Sequence, residues 1–241
     1  MAKRAVFIIL LVSIIAGCGG SSSQTPQPQK IDASLFVPNY VNELIGDTTG
    51  LYHWNHLPIT INFNLPANWS ELYPSGSELQ IEAANEWNRP ASQQMTRVVS
   101  PGASADVQVY FVTYDELGGG GKQGITESTH DTTGRMISAN IKVALDSELS
   151  GQRILHITAN EAKVTVAHEI GHALGMIGHS PNSEDLMYST HIYGTSRIPS
   201  TRDFNTIMTA YPSFFDKSAS VQAITNRSAT PIGPLVTDVI P

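Results

Sequence analysis

The chain of 241 residues is 41% hydrophobic and 15% charged, enough apolar material for one core of ordinary domain size without disulfide staples. A formal net charge of −7 argues against nucleic acid as a partner, because a phosphate backbone needs a basic footprint. The single cysteine, Cys18, rules out an internal disulfide framework.

Residues 1–17 carry a basic start (Lys3, Arg4), the apolar run Ala5–Ala16, and Gly17 before Cys18. That order reads as a secretory signal, since a membrane span would need about 20 apolar residues. The ending Ile15-Ala16-Gly17-Cys18 resembles the bacterial lipobox, in which the cysteine takes a lipid on its sulfur and becomes the new N-terminus. The resemblance implies a protein of the bacterial cell envelope, lipid-anchored to a membrane through Cys18 and facing outside the cytoplasm. The plainer alternative is an ordinary cleaved signal with a stray thiol.

Residues 18–50 are then a lipidated tether. Residues 19–30 are too polar and too rich in Ser, Pro and Gln to fold. Residues 31–50 hold the apolar patches Leu35-Phe36-Val37, Tyr40-Val41 and Leu44-Ile45, which either pack on the domain or cover its site as a short latency segment.

From Leu51 the pattern sharpens. Ile59–Leu65 alternates with period two and predicts a half-buried strand. Ser77, followed by Ile81, Ala84, Asn85 and Trp87, predicts a helix with that apolar face, ended before Pro90. Asp106–Val112 predicts a second strand, with Val107, Val109 and Phe111 on one side. Tyr114–Gly124, with four consecutive glycines, reads as a mobile loop, and Ile137–Leu145 as a third strand. Thr158 and Glu161 have capping-box spacing and open a helix to about Leu174, where Gly175 supplies the residue at which a helix stops most easily. Ser200 and Asp203 repeat that logic for a last helix toward Tyr211, with Phe204, Ile207, Met208 and Tyr211 at core spacing. Residues 213–241 form a tail without periodicity.

The chemistry lies in residues 168–179, His-Glu-Ile-Gly-His-Ala-Leu-Gly-Met-Ile-Gly-His. His168 and His172 stand four apart on the predicted helix, so both project from one face and suit a single zinc ion. Glu169 can reach a water on that metal without taking a coordination position, and so serve as its general base. A third protein ligand and one open position would make the site catalytic. His179 is the candidate, with Asp185 or Glu184 as alternatives. The bland alternative for the pair is two histidines on a helix surface.

These residues resemble the metzincins, and within them the matrixins, whose motif is His-Glu-x-x-His-x-x-Gly-x-x-His followed by a turn containing methionine beneath the metal. Gly175 matches the motif's turn glycine, and Ser183–Tyr188 resembles the methionine turn, with Met187 as its methionine. The segments His53-Trp54, Ala83–Trp87, Ala105–Val109 and Asp203–Tyr211 also look similar, so the likeness covers roughly residues 51–212. One departure stands out: the third histidine falls at His179, one position later than the motif places it, and the loop Met176-Ile177-Gly178 carries the extra residue.

The resemblance implies an α+β, metzincin-like zincin fold: a small twisted mixed sheet with a long helix packed on it, an active-site helix, and a C-terminal helix after the methionine turn. It implies a zinc-dependent endopeptidase acting on protein or peptide, expected as a monomer, whose extended substrate pairs with an edge strand, for which Ile137–Leu145 is the candidate. It also implies that Tyr188–Tyr193 wall a specificity pocket. Structural calcium is possible in such a fold but not indicated here, because Asp115, Glu116, Glu127, His130 and Asp131 lack the family's local pattern. His53, His56, His130, His156 and His191 have no ligand-like spacing. A zinc-binding surface lipoprotein without catalysis, and a zinc hydrolase of cell-wall peptides, are the competing functions.

Overall fold

The computed structural model describes residues 52–76, 78–88, 94–149, 152–154, 156–190, 196–211, 214 and 235–238. The segments read above as signal, lipobox cysteine, tether and latency segment all lie outside the described residues.

In chain order the strands are β1 (Ile59–Asn64), β2 (Thr96–Val98), β3 (Val107–Val112), β4 (Gly124–His130), β5 (Met136–Ala144), β6 (Ser147–Leu149), β7 (Gln152–Ile154) and β8 (Leu235–Asp238). The helices are α1 (Trp69–Leu72), α2 (Leu79–Glu86), α3 (Ala159–Ala173) and α4 (Thr201–Ala210). Six strands form one sheet in the order β2-β1-β3-β5-β4-β8, and β6 and β7 form a separate hairpin. The β1, β2, β3 and β5 pairings are parallel, whereas β4 runs antiparallel to both β5 and β8. The result is the expected α+β fold with a small mixed sheet.

The period-two runs do what their spacing predicts. Ile59, Ile61 and Phe63 of β1 and Val107 and Val109 of β3 are buried in the main core, together with Ile141 and Val143 of β5. Each such side chain removed from water contributes about 1.5–3 kcal/mol.

Two expectations about the strands need correction. The loop after Tyr114 ends at Gln123, because Gly124–His130 is the strand β4. Its inward face consists of Gly124, Thr126 and Ser128, small or polar residues that give no apolar alternation to detect. In consequence, Met136–Ala144 is not the edge strand. It lies between β3 and β4, and β4 is the outer strand of the hairpin that returns toward the site.

The helix α2 also differs in its facing. Ala84 and Trp87 are buried as expected, but Leu79, Gln80 and Ala83 complete the inner face while Ile81 and Asn85 turn outward. Ser77 lies outside the described residues, and the residue before the helix, Glu78, makes no side-chain cap.

The helix α3 forms as its sequence dictates. The Thr158 hydroxyl accepts from the Glu161 amide (3.2 Å), and the Glu161 carboxylate accepts from the Thr158 amide (2.8 Å). Gly175 (φ +118°) ends the helix in a Schellman motif: its amide donates to His172 O (2.9 Å), and the Met176 amide donates to Gly171 O (3.2 Å). A β-carbon at Gly175 would collide with the carbonyl oxygen of Tyr52, so the position demands glycine for space as well as for backbone conformation.

The remaining end carbonyls are taken by aromatic donors, Trp54 Nε1 to Ala173 O (2.8 Å) and the Tyr211 hydroxyl to Leu174 O (2.7 Å). Trp87 Nε1 donates to Ala167 O (2.8 Å) halfway along. These bonds, from three separate segments of the chain, fix α3 in position and in rotation about its axis. At Gly171 the missing β-carbon leaves the space that Met187 Sδ and the Trp87 ring occupy.

Candidate metal centre

Rotation of α3 points His168 and His172 into the interior, where both are fully buried. Their Nε2 atoms lie 3.1 Å apart. His179 arrives from the loop after Gly175, its ring stacked on His168 (centroids 5.2 Å apart, 27° between planes) and perpendicular to His172 (5.0 Å, 88°). One nitrogen from each of the three rings falls within 4.8 Å of the others. Among the described residues this is the group of three His, Cys, Asp or Glu side chains arranged to hold a metal ion.

The outer nitrogens settle which face of each ring is available. His168 Nδ1 is 2.7 Å from Leu186 O, and His172 Nδ1 hydrogen-bonds to Met176 O. A carbonyl oxygen accepts only, so Nδ1 carries the proton in both rings and Nε2 presents a lone pair. Two lone pairs facing each other at 3.1 Å repel, and a cation between them removes the repulsion. Burial, with the neighbouring His168 and His179, holds His172 well below the ordinary histidine pKa, so it is neutral and able to ligate at neutral pH. Three imidazoles form a donor set suited to zinc.

Glu169 is fully buried on α3 beside the histidines. The Thr126 hydroxyl on β4 donates to Glu169 Oε2 (2.6 Å) and fixes the carboxylate's orientation. A β-carbon at Gly124 would overlap the Glu169 side chain, so the β4 backbone runs directly against it.

A family model for the matrixins matches residues 53–212, well over half of the chain. The chain belongs to the matrixin family. No curated protein matches the chain. The matrixins are zinc-dependent endopeptidases, which places protein or peptide as the class of substrate.

The loop Ser183–Tyr188, expected as a methionine turn, is tightly bonded beside the helix histidines. Met187 is fully buried against Gly171, and its carbonyl accepts from the Ser180 amide (2.7 Å). Asp203, expected only as a helix cap, has a second role. Its Oδ2 accepts from the Ser200 amide (2.7 Å) and also from the Leu186 amide (3.0 Å), the peptide next to the carbonyl that holds His168. Neither that bond nor Thr126 was visible in the sequence, because each joins segments far apart in the chain.

The alternative third ligands are placed elsewhere. Asp185 is fully buried in a two-pronged pair with Arg202 (2.8 Å for both bonds) and accepts from the Ser180 hydroxyl, while Glu184 is exposed. The scattered acids after Tyr114 are not brought together. Glu116 accepts from Thr113, Glu127 pairs with Lys142 (3.6 Å), and Asp131 braces its own turn through Thr133 and Arg135. Among the other histidines, His56 meets Asp106 (3.1 Å), His130 packs on Tyr52, His53 bridges to Arg135, and His156 is exposed. Of the expected specificity wall, Tyr188–Thr190 is described, with Arg197 over the Tyr188 ring and donating to Thr190 O (2.8 Å). His191 and Tyr193 lie outside the described residues.

The Asp185–Arg202 pair gives a measurable consequence. Burial alone would raise the Asp185 carboxyl, but hydrogen bonds from Arg202, Ser180 and Ser200 outweigh it and hold the group below its ordinary value of 3.8. A carboxyl lowered on folding contributes stability that is full above the unfolded value and is lost as pH falls through the folded one. Arg202→Ala is therefore expected to lose about 3 kcal/mol of unfolding free energy at pH 7 by urea titration, because it strands a buried carboxylate. The difference from wild type should narrow below pH 4.

Proposed function

We propose that this matrixin hydrolyses internal peptide bonds with His168, His172 and His179 as zinc ligands and Glu169 as general base, and that lipid on Cys18 anchors it in a bacterial envelope. The observation that supports the ligand set most directly is the pairing of both helix histidines with carbonyls through Nδ1, which leaves two Nε2 lone pairs converging beside a third ring. The anchor is supported by the sequence of residues 1–18 alone.

Zinc, when bound, supplies Lewis-acid activation of water and of the scissile carbonyl. Glu169 takes one proton from the attacking water as the C–O bond forms, and holds it at the carboxylate. It then delivers that proton to the leaving nitrogen as the C–N bond breaks, so the charge on Glu169 is restored at the end of the cycle. The Thr126 bond orients the carboxylate for both transfers without itself exchanging a proton. The methionine turn and Asp203 hold His168 in place through the Leu186 carbonyl.

The test uses the whole chain, produced in bacteria supplied with labelled fatty acid. One zinc per chain, label retained on the protein and cleavage inside members of a broad peptide library are expected. Folded protein without zinc would sink the ligand assignment. Zinc without cleavage would turn the reading to a binding lipoprotein, and cleavage restricted to cell-wall peptides would turn it to a wall hydrolase. Unlabelled protein would remove the anchor.

A further inference from the structure

We propose that the outer edge of β4 is a peptide-docking edge which the intact chain fills with its own segment Leu235–Asp238, so that an extended substrate must displace β8 to bind. The proposal rests on the peptidase reading above. Its first support is where β4 runs. Gly124 has no side chain where Glu169 lies, and Thr126 bonds the Glu169 carboxylate, so the strand's backbone passes directly beside the proposed general base. A peptide laid along β4 would lie along the site.

The second support is the occupancy of that edge. β4 pairs with β5 on one side and with β8 on the other. The β8 pairing is antiparallel, with Ile125 opposite Asp238, Thr126 opposite Thr237, Glu127 opposite Val236 and Ser128 opposite Leu235. An unpaired strand edge offers a row of backbone donors and acceptors, and an extended peptide satisfies them by adding one more strand. Each outward N–H and C=O of β4 serves one ladder at a time. A peptide paired with Ile125–Ser128 and the chain's own Leu235–Asp238 are therefore mutually exclusive. The pairing spans Thr126, the residue bonded to Glu169, so the excluded register is the one closest to the chemistry.

Four residues of strand pairing make a weak contact on their own, but within one chain it forms without loss of translational freedom. Such a contact competes with substrate without abolishing its access. It should raise KM and leave kcat unchanged, since nothing in the reacting groups differs once β8 has been displaced.

The experiment compares the full zinc-loaded chain with a Val236→Pro/Thr237→Pro double variant. Alternate residues of a strand turn their N–H toward a given neighbour, so replacing two successive residues removes a ladder donor whichever one faces β4. Amide exchange within Ile125–Ser128 is expected to quicken about tenfold or more in the variant. KM for a library peptide should fall about three- to tenfold with kcat unchanged. A synthetic peptide of residues 230–241 should inhibit the variant competitively. Equal exchange in the two proteins would overturn the docked strand whatever the activity. Faster exchange with an unchanged KM would overturn the competition. Faster exchange in a protein that cleaves nothing would uphold the docked strand and count against the peptidase reading instead.

Discussion

Glu169→Gln is expected to lower kcat by about 10²–10⁴-fold while the protein keeps one zinc and its fold, the range that a positioned general base contributes. The substitution preserves shape, and the new amide oxygen can still accept from the Thr126 hydroxyl, which donates to Glu169 Oε2 at 2.6 Å. What disappears is the capacity to hold a proton between the attacking water and the leaving amine. KM should stay within a few fold, because Glu169 is fully buried on α3 and carries none of the extended-peptide pairing proposed for β4. Single-turnover kinetics beside metal analysis separate the outcomes. A variant that retains zinc and more than a tenth of wild-type kcat would remove Glu169 from the role of base. A variant that loses zinc would show that the carboxylate acts on the metal itself.

The parts of this molecule that were legible in the sequence are those governed by local rules. Both capping boxes, Thr158–Glu161 and Ser200–Asp203, form as their spacing dictates, because the groups involved lie within one turn of helix. Gly175 ends α3 with a positive φ for the same local reason. The strands with apolar alternation, Ile59–Asn64 and Val107–Val112, were equally plain.

The features without a local signal depend on tertiary context. β4 buries Gly124, Thr126 and Ser128, and such residues at period two look like a loop until a sheet is placed beside them. Without β4 the strand Met136–Ala144 reads as an edge, whereas β4 and then β8 lie outside it, and Thr126 stays hidden as the partner of Glu169. β8 leaves no sequence signal for a different reason. A strand of four residues in an aperiodic tail takes its stability from the edge it joins, and its own pattern carries almost no signal. The second bond of Asp203, to the Leu186 amide, likewise depends on the packing of the loop Ser183–Tyr188 on the start of α4.

The residue on which local reading and tertiary structure bear together is His179, and His179→Ala carries the other large expected effect. The sequence places this histidine one residue later than the matrixin motif does, with Met176-Ile177-Gly178 between it and the turn glycine. The structure accommodates the insertion by holding the loop at both ends. Met176 is tied back to α3 through Gly171 O and through His172 Nδ1, and Ser180 is tied to the loop Ser183–Tyr188 through Met187 O. Between those anchors, the His179 ring lies 5.2 Å from His168 and 5.0 Å from His172, centroid to centroid. Removing it leaves two imidazoles, below the three protein ligands of a catalytic zinc site. Zinc affinity measured by competition with a chromophoric chelator should fall by well over the roughly 10–100-fold that losing a partner outside the ligand set costs. Activity should fall with occupancy and recover in part at high zinc. Glu184→Gln is the matched control: that side chain is exposed, and its substitution should leave zinc affinity within about twofold of wild type. The reverse result, with zinc retained by His179→Ala and lost by Glu184→Gln, would mean that the loop rearranges on metal binding to present a carboxylate, and that the inserted residue has changed the ligand set of this matrixin.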